Sequence, residues 1–117
     1  MPKHKQTGIK GEQIAVKFLQ KNGYNILHTN WRHGKKEVDI IVEKDSILVF
    51  VEVKTRNSLD FGFPEESVGH KKKGFLREAA FAYTEANHTR CEIRFDIISI
   101  ILNKSEIKEI IHFEAAF

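Results

Sequence analysis

The stretch EVDIIVEKDSILVFVEVKT, residues 37–55, decides the fold. Its first residues alternate acidic and apolar (Glu37, Val38, Asp39, Ile40), as a half-buried strand does, and this strand is expected to reach residue 43. Lys44, Asp45 and Ser46 make a short polar turn. Residues 47–55 are then almost continuously apolar, the mark of a strand covered on both faces and therefore central in a sheet. Strand periodicity puts Glu37 and Asp39 on one face; it also puts Glu52 and Lys54 on one face, with Val53 on the other. A hairpin centred on Lys44 and Asp45 sets Asp39 against Phe50 and Glu52 against Glu37. A slip by one sets Asp39 against Glu52 and Glu37 against Lys54. Either register brings Asp39 and Glu52 within about 5–8 Å of each other on one sheet face.

Upstream, apolar residues recur with helical period over residues 9–22, and Gly23 is the expected stop. On a helical wheel Lys10, Gln13, Lys17, Gln20 and Lys21 share a polar arc, while Ile9, Ile14, Ala15, Val16, Phe18 and Leu19 form the core-facing one. Glu12 falls inside the apolar arc, and an inward-pointing carboxylate needs a partner. Residues 24–32 read as a first strand. Downstream, residues 56–68 hold Asp60, Gly62 and Pro64 and read as a loop. A second helix follows over about residues 68–87, with Phe75, Leu76, Ala79, Ala80 and Tyr83 as its buried stripe and Lys72 projecting within that stripe, toward the sheet. Residues 92–102 read as another buried strand, and residues 106–113 as a last strand pairing with it. The order is helix, three strands, helix, two strands. The first three strands form a meander, and a strand–helix–strand crossover makes the fourth parallel to the third. The expectation is a single α/β domain over residues 1–117: a mixed central sheet flanked by helices, with a flexible basic amino terminus over residues 1–7.

Composition sets outer bounds. Of 117 residues, 41% are hydrophobic and 30% charged, which suits one packed domain and excludes a disordered chain. The longest apolar run, residues 47–51, is far short of the roughly 18 residues of a membrane span, and the basic, polar start lacks the apolar core of a signal peptide. With Cys91 the lone cysteine, a reducing cytoplasmic compartment is the expectation. Residues 1–36 hold eight Lys/Arg against one acidic residue, whereas residues 37–117 hold eleven against fifteen. A basic first third suggests contact with a polyanion, and the acidic remainder argues against simple charge-coating of nucleic acid.

The chemistry lies at the far end of the hairpin. Clustered carboxylates repel one another unless a cation lies between them, and Glu52 and Lys54 follow five apolar residues, a costly place for two charges. Hard oxygen ligands beside an ammonium suit Mg²⁺-assisted phosphodiester cleavage. Asp39, Glu52 and a strand carbonyl would hold the ion, and Lys54 would orient the attacking water and offset charge on the phosphate. A salt-bridged hairpin end is the alternative. Other chemistries lack support: the six histidines show no zinc spacing, Cys91 has no partner base, and no Gly-rich phosphate loop is present. Arg94 and Asp96 share a strand face and read as a structural ion pair, and Trp31 as a partly buried strand aromatic.

Asp39, twelve intervening residues, then Glu52-Val53-Lys54 resemble the PD-(D/E)xK signature of restriction-endonuclease-like nucleases, in the helix–strand–strand–strand–helix–strand order of that core and of archaeal Holliday-junction resolvases in particular. The resemblance narrows to the small bacterial YraN-type family, endonuclease-like proteins. It rests on Gly8, Gly11-Glu12, Ala15, Leu19, Gly23-Tyr24, Ile26-Leu27, Asn30, Arg32 and residues 37–41. It continues through residues 50–54, Arg56, Phe61-Gly62, Pro64, Lys72 and residues 94–96, covering about residues 8–101. Lys36 departs from that pattern, which has Gly there. The resemblance implies a restriction-endonuclease-like α-β-β-β-α-β core with an extra C-terminal strand. It implies Asp39 and Glu52 as metal ligands with the Val53 carbonyl as a third contact, Lys54 as the catalytic lysine, and Glu12 as an added acidic residue at the Mg²⁺ or Mn²⁺ site. Glu37 either completes this site or pairs with Arg32 or Lys54. Lys72 is either an accessory residue facing a substrate phosphate or an acidic site residue, or a snorkelling lysine on the first turn of its helix. Arg32, Arg56, Lys71 and Lys73 are candidate phosphate contacts. The expected partner is nucleic acid, DNA before RNA, with branched or recombination-related structures among the candidate forms, and without a membrane; a homodimer would enlarge the reach of so small a domain. Two functions stay open: a metal-dependent nuclease, and a non-cleaving nucleic-acid-binding module of the same fold acting with a partner. A protein-interaction domain with a structural acidic cluster is a third.

Overall fold

The computed structural model describes residues 3–57, 69–87, 92–104 and 106–117, with side chains from Lys10 onward in the first helix and from Lys71 onward in the second. Phe61, Gly62, Pro64 and Cys91 lie outside the described residues. The elements are α1 (Lys3–Lys21), β1 (Asn25–His33), β2 (Lys36–Lys44), β3 (Ile47–Asn57), α2 (His70–Ala86), β4 (Glu92–Asn103) and β5 (Glu106–Phe113). This is the expected order. The helix expected from Ile9 begins six residues earlier, at Lys3, so the basic amino-terminal segment from there on is helical backbone rather than a tail. Lysine and glutamine are good helix formers, and nothing before Gly8 interrupts them.

The five strands form one sheet in the order β1-β2-β3-β4-β5, with β3 at its centre. The β1–β2, β2–β3 and β4–β5 pairs are antiparallel and β3–β4 is parallel. Asp45 and Ser46 both have positive φ, 52° and 64°, as the two central residues of a type I′ hairpin turn require. That turn pairs Lys44 with Ile47 and Ile40 with Val51. Continued by one residue, the same register places Asp39 across from Glu52, the second of the two alternatives.

Helix α1 covers one face, where Ala15, Leu19 and Tyr24 pack with Ile40, Val42, Val49, Val51, Ile98, Ile100 and Leu102. Helix α2 covers the other, where Leu76, Ala79, Ala80 and Tyr83 pack with Val38, Ile41, Leu48, Phe50 and Ile97. Phe75, expected in the α2 stripe, is instead 48% exposed. It lies at the edge of the buried arc, and the Lys36 ammonium sits 5.7 Å above its ring. Helix α1 ends at Lys21 and the chain turns at Gly23, whose φ of 87° excludes most side chains. The Gly23 amide donates to Gln20 and the Tyr24 amide to Leu19, satisfying the last carbonyls in a Schellman arrangement. Among the described residues no helix is long and apolar enough to cross a membrane.

Candidate functional site

The β2–β3 ladder opens just beyond Ile40 and Val51. There the Val53 amide donates not to a backbone carbonyl but to Asp39 Oδ2, at 2.8 Å. The cause lies one strand away. Between Thr29↔Ile40 and Trp31↔Val38 in the β1–β2 pairing sits Asn30, at a φ of 51°. Strict alternation would put Val38 and Ile40 on one face, yet Val38 packs under α2 and Ile40 under α1. Both strands rotate at this step, and Asp39 stands at the rotation. Groups from both layers therefore act on it. Burial raises its pKa, and the Val53 amide and the Lys72 ammonium oppose that rise.

Glu52, on the α2 side of β3, is only 5% exposed. Its Oε1 lies 3.7 Å from Lys54 Nζ and 3.6 Å from Lys72 Nζ, both beyond good hydrogen-bond length. Its Oε2 is buried and finds no hydrogen-bond partner among the described residues. Burial and the neighbouring Asp39 carboxylate push its pKa up to about 7 against the pull of the two lysines. Glu12 reaches the same place from α1: burial raises its pKa, as do the carboxylates of Asp39 and Glu37, while a hydrogen bond with Asn30 lowers it. Its entry into the apolar arc is explained by this position. Ser99, level with Lys54 on β4, holds a second buried oxygen that finds no partner among the described residues.

Asp39, Glu52, Lys54 and Lys72 thus converge, with the backbone of Val53 beside them, and Glu12 faces Asp39 from α1. Glu37 stands at the margin, 3.5 Å from Arg32, so one of its sequence alternatives, the Arg32 pair, is the one formed. Lys71 is exposed on the first turn of α2. Lys73 lies 5.6 Å from the centre of the Phe117 ring, and Arg56 is half-buried on β3. Lys36, which replaces the expected glycine, turns to α2 and bonds Glu78. Among the described residues no group of three or more His, Cys, Asp or Glu forms a metal cage. Two carboxylates and a backbone carbonyl form a sparser donor set, of the kind Mg²⁺ accepts because it retains waters and takes substrate phosphates.

The sequence reading singled out no role for Asn30 or Gly11. An asparagine within a strand pattern is the available signal for Asn30, since Asn tolerates left-handed backbone. Gly11 matters for close packing, because a Cβ there would meet Thr55 Oγ1 at 1.8 Å. Its lack of a side chain lets α1 lie against the β3 segment that carries Lys54, which brings Glu12 to the site.

Comparison with known proteins places these residues in a family. The model of the "Uncharacterised protein family UPF0102" matches residues 11–100. A UPF0102 protein of Flavobacterium psychrophilum is 50% identical over 117 residues, covering 100% of this chain and 98% of that one. One of Chlorobium phaeobacteroides is 44% identical over 104 residues, with 88% and 82% covered. One of Christiangramia forsetii is 43% identical over 117 residues, with 100% and 98% covered.

Proposed function

The chain belongs to the UPF0102 family, and we propose that it is a metal-dependent nuclease that hydrolyses phosphodiester bonds in DNA. The observation that supports this reading best is Glu52, a nearly buried carboxylate beside Asp39 with one oxygen unpartnered and the other held loosely by two ammonium groups. Structural carboxylates that deep are normally saturated with donors. A carboxylate left short of donors has capacity for a cation that arrives with its substrate.

Asp39, Glu52 and the Val53 carbonyl would hold Mg²⁺ or Mn²⁺, with Glu12 contributing from α1. When bound, the ion supplies Lewis-acid polarisation of the phosphate and a more acidic water. The protein's own groups do the rest. The Val53 amide fixes one oxygen of the Asp39 carboxylate and would leave the other for the ion. Lys54 donates to the oxygen of the attacking water and offsets negative charge building on the phosphate. Lys72 keeps the Glu52 carboxylate in place and presents a second positive charge. Water oxygen forms the new P–O bond, one ester P–O bond breaks, the water proton passes to solvent, and the departing alkoxide is protonated. Lys71, Lys73 and Arg56 would contact flanking phosphates, and Arg32 would join them on release from Glu37.

A cleavage assay tests this, using Mg²⁺ or Mn²⁺ with linear, single-stranded, flapped and four-way DNA and with RNA. Product that disappears in Asp39→Ala and Lys54→Ala is the expected result. Product surviving in both variants would come from a contaminant. The two lysines already near Glu52 favour one alternative, a non-cleaving nucleic-acid-binding module acting with a partner. Salt-sensitive DNA binding and metal-dependent stabilisation without product would establish that alternative.

A further inference from the structure

A groove of about 600 Å³ opens between α1 and β1 on the side of the sheet away from α2. Glu12 and Asn30 line it, and Asn30, between the Thr29↔Ile40 and Trp31↔Val38 pairs, stands beside Asp39, so one end of the groove adjoins that residue. From there it runs along α1 past Gln13, Val16 and Lys17 to Gln20. At ~1.5 Å of rise per residue, Glu12 to Gln20 is about 12 Å of helix. The volume lies in the ~300–1,000 Å³ range of small-ligand pockets, large enough for one nucleotide and too narrow for a duplex.

Its chemistry differs from that of the α2 side. Lys71, Lys72 and Lys73 crowd the first turn of α2, as suits phosphates. The groove instead combines side-chain amides (Gln13, Gln20, Asn30), the hydroxyl of Thr29 and an apolar floor at Val16, with Lys17 as the one cation among the lining residues. Amides pair with donor and acceptor edges of nucleobases, and an apolar floor accepts the flat face of a base. A base within a duplex is stacked and paired, so only an unpaired one could enter.

We propose that this groove binds an unpaired nucleotide adjacent to the phosphate held at Asp39 and Glu52, which makes strands with unpaired nucleotides the preferred substrates. The base lies on Val16 with its edge toward Gln13 and Gln20, and Lys17 takes its phosphate. The inference rests on the nuclease reading for its placement of the cleaved phosphate, and it fails separately from that reading.

The test measures binding of the full chain by fluorescence anisotropy with Ca²⁺, and cleavage of the same substrates with Mg²⁺. The ligands are a fully paired DNA duplex, the same duplex with one unpaired nucleotide, the same with an abasic residue at that position, and the RNA counterparts. The unpaired nucleotide is expected to strengthen binding about tenfold over the paired duplex, the scale of one well-placed amide–base contact. The abasic residue should lose most of that gain. In the double variant Gln13→Ala/Gln20→Ala the ratio of unpaired to paired affinity should fall toward one. Both glutamines are exposed, so the variant keeps its core. The RNA arm shows which sugar the groove accepts. Equal affinity for paired, unpaired and abasic ligands overturns the inference, as does an unchanged ratio in the double variant or no binding at all. Cleavage without any preference for unpaired ligands overturns the groove and leaves the nuclease. Preference without cleavage overturns the nuclease and leaves the groove.

Discussion

Glu52 and Asp96 are buried carboxylates on neighbouring strands, one position apart in register because Val51 pairs with Asp96 and Glu52 with Ile97. They face opposite sides of the sheet, and their surroundings differ in kind. Asp96, fully buried, accepts from Arg94 Nε and from an Arg94 terminal nitrogen at 2.9 and 2.8 Å, and from the Ala115 amide at 3.0 Å, and it lies 2.6 Å from His112 Nε2. Arg94 in turn donates to the Tyr24 hydroxyl. Burial alone would raise the Asp96 pKa, but the contacts with His112, Arg94 and the Ala115 amide outweigh it and hold the group below the usual carboxylate range. Glu52 has two distant lysines and an oxygen with no donor, and its pKa rises to about 7. A buried carboxylate saturated with donors keeps its charge at low pH; one left short of donors is pushed toward its neutral form unless a cation joins it.

Four measurements break or sharpen that contrast. The largest effect belongs to Asp96→Ala, which strips the half-buried Arg94, the His112 ring and the Ala115 amide of their shared acceptor, leaving Arg94 only the Tyr24 hydroxyl and Glu114, and should cost about 3 kcal/mol in urea unfolding. A loss under about 1 kcal/mol would remove the distinction between the two carboxylates. Next, Glu52→Gln should lower Mg²⁺-dependent cleavage by at least ~100-fold, about 2.7 kcal/mol of barrier. The same change should leave metal-free stability level or raise it, because a poorly paired charge has gone. A destabilised Glu52→Gln would show that the two lysines satisfy Glu52 after all. Third, Gly11→Ala should cost about 1–3 kcal/mol through overpacking against Thr55, and cleavage should fall with it as α1 moves Glu12 away.

The smallest effect is one of sign, read in chelator. Asp96 has a folded pKa below its ordinary 3.8, so its stabilisation is present above that pH and is lost as pH falls through the folded value. Glu52 has a folded pKa raised from 4.5 to about 7, so its contribution is present below pH 4.5 and is lost as pH rises toward 7. Asp96→Asn should flatten the acid limb of the stability curve, and Glu52→Gln the limb between those two values. Curves on which both variants flatten the same limb would contradict the opposite shifts.

Much of the architecture was legible because its causes are local. The period-two pattern of residues 37–43, the apolar run of β3, the Gly23 stop and the bounds of β5 each depend on residues within one element. The Asp39–Glu52 approach was legible for the same reason, since two strands and a two-residue turn leave few registers. The Arg94–Asp96 pair could be read from two positions on one strand, whereas its remaining partners Tyr24 and His112 could not.

What the sequence by itself determined is the helix and strand order, the central strand and the acidic pair with its lysine, because periodicity and short loops set them. Tertiary structure alone decided the hairpin register, through two left-handed turn residues, and the rotation of β1 and β2 at Asn30 that exposes Asp39 to both helical layers. It also decided how completely each buried carboxylate is satisfied. That property depends on His112 and the Ala115 amide, 16 and 19 residues away, for Asp96, and on an α2 lysine that stops 3.6 Å away for Glu52. Distances of that kind are set by how sheet and helices pack around one core, and no local pattern encodes them.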